Sequence, residues 1–179
     1  MPQSLENLWD GIKILARVDS GLEKMGLCHA AFLNRADLEP AARRLVEHGY
    51  FLEDITAMDW KEGFELLYHF DLLEKPARIV LRVLLDHQSP EVPSISALCP
   101  GAQWHERECF DFYGIRFSGH PQLIPILLPD DLGMHPLVKL QDKRMSLYDC
   151  LEGYGPLPVV KGELYDFPSL SSQVETKDA

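Results

Sequence analysis

The fold is decided by residues 63–87, which read GFELLYHFDLLEKPARIVLRVLLDH. Apolar and polar side chains alternate over Gly63–Leu72 and again over Arg78–His87, as expected of strands with one buried face and one face in water. The short turn at 74–76 predicts an antiparallel hairpin. This pattern favours an α+β domain, with a small, mostly antiparallel sheet and helices packed on it, over a doubly wound parallel sheet.

The spacing of apolar residues predicts three helices and two further strands in the rest of the chain. In chain order they are a helix over Leu5–Ala16 capped by Ser4, a strand over Leu27–Leu33, a helix from Asp37 to Gly49, a strand over Tyr50–Ala57 and a helix over Gly101–Tyr113 that ends at Gly114. The polar residues of the hairpin, Glu65 and Arg82 among them, are expected to face water.

The last third of the chain is rich in proline. Seven prolines follow Gly114, at positions 121, 125, 129, 136, 156, 158 and 168, and they forbid long regular elements. Compact domains rarely carry so long an irregular segment unless it binds something. We therefore predict an N-terminal helical segment over 1–26, an α+β domain over 27–118 and an extended, partner-binding C-terminal arm over 119–179.

Composition excludes several classes of function. The 179 residues are 46% hydrophobic and carry a net charge of −11, which suits a soluble domain and argues against nucleic acid or an anionic lipid surface as the partner. No apolar run reaches the roughly 18 residues of a membrane span, and no signal peptide is visible. The cysteines at 28, 99, 109 and 150 form no Cys-x-x-Cys pair, so the usual iron–sulfur and structural zinc motifs are absent.

Residues 104–128, WHERECFDFYGIRFSGHPQLIPILL, hold the most varied chemistry of the chain. Glu106, Glu108 and Asp111 could provide a general acid and base, which require two carboxylates in different environments. Acidic residues beside Arg107 on a helix more often form ion pairs, so the catalytic interpretation is the weaker one.

A metal site is a second candidate. His105 with Glu108 or Cys109 has the spacing of ligands on one helix face, and His120 and His135 could complete the set from irregular chain. The His-Glu-x-x-His pattern is absent, and histidines before proline are more often loop residues bonded to backbone.

An apolar ligand such as a quinone could dock on the aromatic residues of this stretch, although aromatics more often fill a core. These aromatics are Phe110, Phe112, Tyr113 and Phe117. An interface is the remaining interpretation: Arg107 can clamp a carboxylate with two hydrogen bonds, and rigid prolines lower the entropy cost of binding. Arginine with aromatic anchors is also typical of interface hot spots.

The motif of this stretch resembles that of one family. It reads Glu106-Arg107-Glu108-x-x-Asp111, then Gly114-Ile115-x-Phe117-x-Gly119-His120-Pro121-x-Leu123, then Ile126-Leu127-x-Pro129-Asp130-Asp131. It is similar to the thirty-kilodalton, C-type subunit of NADH:quinone oxidoreductase (respiratory complex I), and Ile55-Thr56-Ala57-x-Asp59 agrees with it. The resemblance covers about Leu27 to Lys139.

The resemblance implies an α+β domain with an extended arm and no redox centre, catalytic residue or metal of its own. It implies a peripheral position on the cytoplasmic side of a membrane-bound, proton-translocating complex. The implied partners are the large, hydrogenase-like quinone-site subunit and neighbouring subunits with iron–sulfur clusters and possibly flavin. The implied interface residues are Glu106, Arg107, Glu108, Asp111, Gly114, Phe117, Gly119, His120, Pro121, Leu123, Pro129, Asp131, Pro136 and Lys139.

The chain departs from this family in several places. Ile124 and Pro125 stand where basic residues are usual, and Pro136-Leu137-Val138-Lys139 replaces a more basic run. Related subunits occur in energy-converting hydrogenases and in ferredoxin- or F420-linked dehydrogenases, so the resemblance leaves the electron donor open. A stand-alone metalloenzyme using His105, Glu108 and His120 is the alternative from a different class.

Overall fold

The computed structural model describes residues 7–19, 29–74 and 76–152. Its strands and helices follow in chain order: β1 (Ile14–Asp19), β2 (His29–Leu33), α1 (Leu38–Glu47), β3 (Phe51–Asp59), β4 (Phe64–Asp71), β5 (Ile79–Leu85), β6 (Glu91–Pro93), α2 (Ala102–Tyr113), β7 (Arg116–Ser118) and α3 (Leu147–Glu152). Short 3-10 turns lie at Asn7–Trp9, Arg35–Asp37 and Gln141–Lys143.

A five-stranded sheet in the order β1-β2-β5-β4-β3 forms the centre of the fold. The β2–β5 pair is parallel and the other three neighbouring pairs are antiparallel. The predicted hairpin is β4–β5, with Phe64 opposite Leu85 and Phe70 opposite Ile79. The predicted α+β class is confirmed.

Helices α1 and α2 contribute buried side chains to the same large core. Helix α1 contributes residues at the predicted helical spacing, namely Leu38, Ala41, Ala42 and Leu45. Helix α2 contributes Ala102 and Cys109, and one face of the sheet contributes Leu66, Tyr68, Phe70, Leu81 and Val83. Gly114, with φ of 73°, ends α2 as predicted, because glycine alone adopts the left-handed conformation without strain.

The predicted helix over Leu5–Ala16 is wrong in the part that the structure describes. Residues 7–9 form a 3-10 turn, Gly11 adopts a φ of 79°, and β1 then pairs with β2. The positive φ of Gly11 interrupts any helix, and pairing with β2 satisfies the backbone of residues 14–19 instead. The sheet therefore extends into the segment that the sequence assigned to an N-terminal helical part.

The expected water-facing side of the sheet is also wrong at its centre. All seven residues of β5 are buried, including Arg82, and Glu65 is fully buried beside it. Arg82 donates two hydrogen bonds to Glu65, at 2.7 and 2.9 Å, and Trp60 donates a third at 2.8 Å. A paired and hydrogen-bonded charge tolerates burial, which allows Phe32, Leu84 and Leu147 of α3 to form a second, smaller cluster.

Candidate functional site

The candidate site is the junction between helix α2 and residues 119–145, hereafter the strap. The strap runs as irregular chain apart from its 3-10 turn at Gln141–Lys143 and a β-bridge between Met145 and Trp60. Three side chains of α2, those of Glu106, Arg107 and Asp111, hold the strap or the chain around its start against the domain. Glu106 and Asp111 are buried, and Arg107 is partly buried. The structure shows no ion pair between Arg107 and Asp111, although their spacing allows one, because each binds backbone groups instead.

Asp111 binds three consecutive backbone groups of the strap. Its Oδ2 accepts hydrogen bonds from the N–H groups of Ile126, Leu127 and Leu128 at 2.8, 2.8 and 3.2 Å. A carboxylate is the strongest acceptor available to such donors, and its 3% exposure keeps water from competing. Asp111 thereby fixes the backbone of residues 126–128.

Arg107 binds the two residues that precede this segment. Its Nε donates to the carbonyl oxygen of Ile124 at 2.9 Å, and its terminal nitrogen donates to that of Pro125 at 2.7 Å. The guanidinium carbon also lies 5.7 Å from the centre of the Trp104 ring. The predicted fork is therefore used within the chain, on two carbonyl oxygens rather than on a carboxylate.

Glu106 joins the start of α2 to the loop before it. Its carboxylate accepts hydrogen bonds from Ser94 Oγ at 2.6 Å and from the Ile95 N–H at 2.8 Å. Burial raises the pKa of Glu106 to about 7, and these two hydrogen bonds offset part of that effect. His120 Nε2 lies 3.9 Å from the same carboxylate.

His120 sets the bend at the start of the strap. Its Nδ1 accepts a hydrogen bond from the Gln122 N–H at 3.0 Å, so Nε2 carries the proton and donates to the Gln103 carbonyl at 3.2 Å. Gly119 precedes it with φ of 83°. The bend at Gly119 and His120 is thus held by contacts with backbone groups.

Gly114 is required by close packing as well as by its backbone angle. A Cβ atom on Gly114 would lie 2.7 Å from the ring of His135, which is too close for any side chain. The same ring donates from Nδ1 to the Asp111 carbonyl at 2.8 Å, and the Leu137 N–H donates to the Phe112 carbonyl at 3.1 Å. The strap therefore lies directly against the C-terminal end of α2.

Asp59, at the end of β3, anchors the far end of the strap and was not among the predicted site residues. Its carboxylate accepts hydrogen bonds from the Lys139 N–H at 2.7 Å and from Arg144 Nε, and it pairs with His87 at 2.7 Å. Its partners lie 28 to 85 positions away, so no local pattern reveals this role. The available signal was its place in the Ile55-Thr56-Ala57-x-Asp59 motif.

The remaining predicted site residues divide between core and surface. Phe117 is buried in the main core, and Leu123 packs against that core. The exposed members are Glu108, Gly119, Pro121, Pro129, Asp131, Pro136 and Lys139. Phe117 and Leu123 thus belong to the packed interior, whereas the exposed members lie on the strap, apart from Glu108, which lies on α2.

The alternative sites are not assembled in the described part of the chain. No group of three or more His, Cys, Asp or Glu residues there is placed to hold a metal ion. His105 pairs with Asp54, whereas His120 and His135 bind backbone groups. Of the three carboxylates considered as a general acid and base, Glu106 and Asp111 each accept hydrogen bonds from main-chain N–H groups.

Two of the aromatic residues line an open groove of about 220 Å³. Phe112 and Tyr113 form one wall of it together with Glu108 and Cys109, and residues 54–57 of β3 form another. Its mixture of acidic, aromatic and backbone groups differs from the mainly apolar pocket expected for a quinone. Among the helices of residues 7–19, 29–74 and 76–152, none is both long and apolar enough to cross a bilayer.

Comparison with known proteins identifies relatives of this chain. A family model described as the 30 Kd subunit of respiratory-chain NADH dehydrogenase matches residues 32–145. The C-type subunit of NADH-quinone oxidoreductase from Roseiflexus castenholzii is 35% identical over 144 residues, covering 73% of this chain and 83% of the relative. The C-type subunit from Moorella thermoacetica is 50% identical over 91 residues, but the match covers 50% of this chain and 62% of that relative.

Longer relatives and solved structures extend the comparison. A protein of Phocaeicola vulgatus, whose name joins the C and D subunits of NADH-quinone oxidoreductase, is 38% identical over 102 residues, which cover 56% of this chain and 20% of the relative. A trypsin-resistant fragment of Nqo5 superposes with a TM-score of 0.51 and 28% identity, covering 60% of this chain and 88% of the fragment. A chain of an archaeal membrane-bound sulfane sulfur reductase shares the fold, with a TM-score of 0.64, 20% identity and coverage of 84% and 88%.

Proposed function

Because the chain belongs to the family of the 30 kDa subunit of respiratory-chain NADH dehydrogenase, we propose that it is a scaffold subunit of a complex-I-like NADH:quinone oxidoreductase. In this role the chain performs no catalysis. Its strap holds the large, quinone-site subunit of the peripheral arm, on the cytoplasmic side of the membrane. Iron–sulfur clusters, and any flavin, belong to the partner subunits.

The distribution of exposed apolar side chains carries this proposal. Of the large apolar side chains exposed in the described residues, most belong to the strap: Ile124, Leu127, Leu132, Met134, Leu137, Val138, Leu140 and Met145. Leu140 is 72% exposed and Leu127 is 63% exposed, so both leave a large apolar surface in contact with water. An apolar surface concentrated in one segment is typical of a protein–protein interface.

The backbone of the strap faces the domain, on the side opposite to the exposed apolar side chains. Arg107 and Asp111 hold residues 124–128 against α2, and Asp59 holds Lys139. Since the polar backbone groups bind the domain, the apolar side chains are presented outward in a pre-formed arrangement. Pre-formation lowers the conformational entropy that a partner must remove on binding.

The names of the relatives support the choice of partner. One relative combines the C and D subunits in its name, and the match to this chain covers only 20% of it. Subunits joined in one polypeptide lie close together, so a separate D-type subunit is the proposed large partner. NADH is the proposed electron donor of the complex, because the relatives are named as subunits of an NADH-quinone oxidoreductase.

The test is co-purification of the full chain with the D-type subunit of the same organism. Arg107→Ala removes two charged hydrogen bonds to the strap, worth about 2–4 kcal/mol in total, and we expect recovery of the complex to fall at least about tenfold. Arg43→Ala is the matched control, because Arg43 is exposed and pairs with Glu39 on its own helix. Thermal unfolding of the full chain should change little in Arg43→Ala, and the loss in Arg107→Ala should not exceed the same about 2–4 kcal/mol.

The possible results separate two parts of the proposal. A wild-type chain that remains alone when the D-type subunit is co-expressed overturns the scaffold role. Normal recovery of the complex with Arg107→Ala leaves the scaffold role in place but excludes the strap as the main contact. Turnover or a bound redox group in the purified chain alone would contradict the non-catalytic assignment.

A further inference from the structure

Strand β3 forms one edge of the five-stranded sheet, and no further strand of this sheet pairs with the backbone groups on its outer side. The Trp60 N–H donates to the Gly63 carbonyl at 3.0 Å, which makes residues 60 and 63 a hydrogen-bonded pair of the β3–β4 hairpin. Hydrogen-bonded and non-hydrogen-bonded pairs alternate along an antiparallel ladder. With the observed register, the backbone groups of Ile55, Ala57 and Asp59 therefore point away from β4, towards the edge.

Part of this edge is already occupied. Just beyond the end of β3, Met145 of the strap forms a parallel bridge with Trp60 and accepts a hydrogen bond from the Lys61 N–H at 2.9 Å. The Ile55 carbonyl accepts a weak hydrogen bond from the Cys109 thiol, with 3.8 Å between sulfur and oxygen, and Lys139 Nζ lies 3.5 Å from the Asp59 carbonyl. The N–H of Ile55 and the N–H and C=O of Ala57 form no hydrogen bond outside the sheet within the described part of the chain. Natural proteins usually cover or block such an edge, so these groups indicate a place for another strand.

The groove of about 220 Å³ opens onto these backbone groups. Residues 54–57 form one side, and Glu108, Phe112 and Tyr113 of α2 form the other, with Leu137 of the strap also lining it. Glu108 is exposed, and the Asp54 carboxylate is partly exposed, although it also contacts His105 at 3.1 Å and accepts a hydrogen bond from Thr56 at 2.7 Å. The groove thus offers two carboxylates, aromatic rings and an open strand edge, which together suit an extended segment with a cationic side chain.

Charge selects the occupant. A second copy of this chain carries the same net charge of −11, so it is repelled by an acidic groove. Residues 153–179 of the chain hold two lysines against four carboxylates and are also unsuited. A basic segment of another subunit has the complementary charge.

We propose that β3 accepts an extended, basic segment of the large partner subunit as an additional strand, which pairs with Ala57 and places a cationic side chain between Asp54 and Glu108. This inference rests on the proposed function, because it identifies a second contact with the same partner. The strap binds through apolar side chains, whereas the groove binds through backbone pairing and charge. The two contacts lie next to each other, since Leu137 belongs to both.

Hydrogen exchange of the full chain, measured alone and in complex with the D-type subunit of the same organism, tests the backbone pairing. We expect the amides of Ile55 and Ala57 to exchange at least about tenfold more slowly in the complex than in the free chain. The neighbouring amide of Thr56 points towards β4 and should be protected in both states. Unchanged exchange at Ile55 and Ala57, with new protection in the strap, overturns the groove contact and leaves the scaffold role intact.

A charge reversal tests the cationic side chain. Glu108→Lys should raise the dissociation constant for the D-type subunit about tenfold at low salt, and the effect should shrink at high salt. Glu47→Lys, which makes the same change of net charge at an exposed position of α1, should have little effect. Equal effects of the two variants would overturn the assignment of the groove to a basic partner segment. The same assignment would be overturned if the free chain self-associates and its Ala57 amide then becomes protected.

Discussion

Replacement of Glu106 by Gln should change the way the stability of the fold depends on pH. Burial raises the pKa of Glu106 from its ordinary value of 4.5 to about 7, although Ser94 and Ile95 donate hydrogen bonds to the carboxylate. In the folded protein the group therefore keeps its proton up to a pH near 7, whereas the unfolded chain releases it near 4.5. The free energy of unfolding should thus fall as pH rises through this window, because the unfolded state binds fewer protons.

The size of the effect follows from the two pKa values. The difference between 4.5 and about 7 corresponds to ~3 kcal/mol of destabilisation above pH 7. Glutamine has nearly the same shape and no charge, and it can accept the hydrogen bond from Ile95 and donate to Ser94 Oγ. We expect Glu106→Gln to match the wild-type stability near pH 4.5 and to exceed it by about 1–3 kcal/mol at pH 8.

Urea unfolding of both proteins at several pH values between 4.5 and 8 measures this difference directly. Contributions from other titrating groups that do not contact the site cancel when the two proteins are compared. Glu108→Gln is the matched control, because Glu108 lies on the same helix and is exposed. A difference that does not vary with pH, or one in which the wild type gains stability on ionisation, would show that hydrogen bonding outweighs burial at Glu106.

Two further variants test how the strap is held. Asp111→Ala removes the acceptor of three N–H groups, so the amides of residues 126–128 should exchange about 10–100-fold faster, measured by hydrogen exchange; unchanged rates would exclude Asp111 as the anchor. Gly114→Ala should lower the free energy of unfolding by about 2 kcal/mol or more, from the left-handed backbone and the contact with His135. In a His135→Ala background, measured by thermal unfolding, Gly114→Ala should cost less stability. An equal cost in that background would exclude the contact with His135 as a cause.

The elements predicted correctly from sequence are those whose determinants are local. The β4–β5 hairpin follows from alternation and a short turn within 63–87, and the end of α2 follows from Gly114 alone. The failed helix over Leu5–Ala16 shows the converse. Its apolar spacing is compatible with a helix, but the pairing of Ile14 with Leu33 is a contact across many residues that no local pattern reports.

The same limit applies to the charged residues. The alternation of apolar and polar residues predicted that Glu65 and Arg82 lie on the face of the sheet opposite to the main core. The structure confirms that the two side chains share this face. Their burial depends on each other, on Trp60, and on Leu147 from α3 far along the chain. The anchoring role of Asp59 depends on Lys139, 80 residues away, so the sequence motif indicated that Asp59 matters without indicating what it binds.

The arrangement of α2 explains how one short helix can hold an irregular segment in a single conformation. Arg107 and Asp111 are four residues apart, so they lie one turn apart on the same face, about 6 Å along the axis. Arg107 supplies only donors and binds the carbonyls of 124 and 125, whereas Asp111 supplies only acceptors and binds the N–H groups of 126–128. Five consecutive residues of the strap are therefore positioned by two side chains of opposite hydrogen-bonding type. A shift of the strap by one or two residues would bring Pro125 or Pro129, which lack an N–H, closer to the acceptor, so the prolines also define the register in which the apolar side chains are presented.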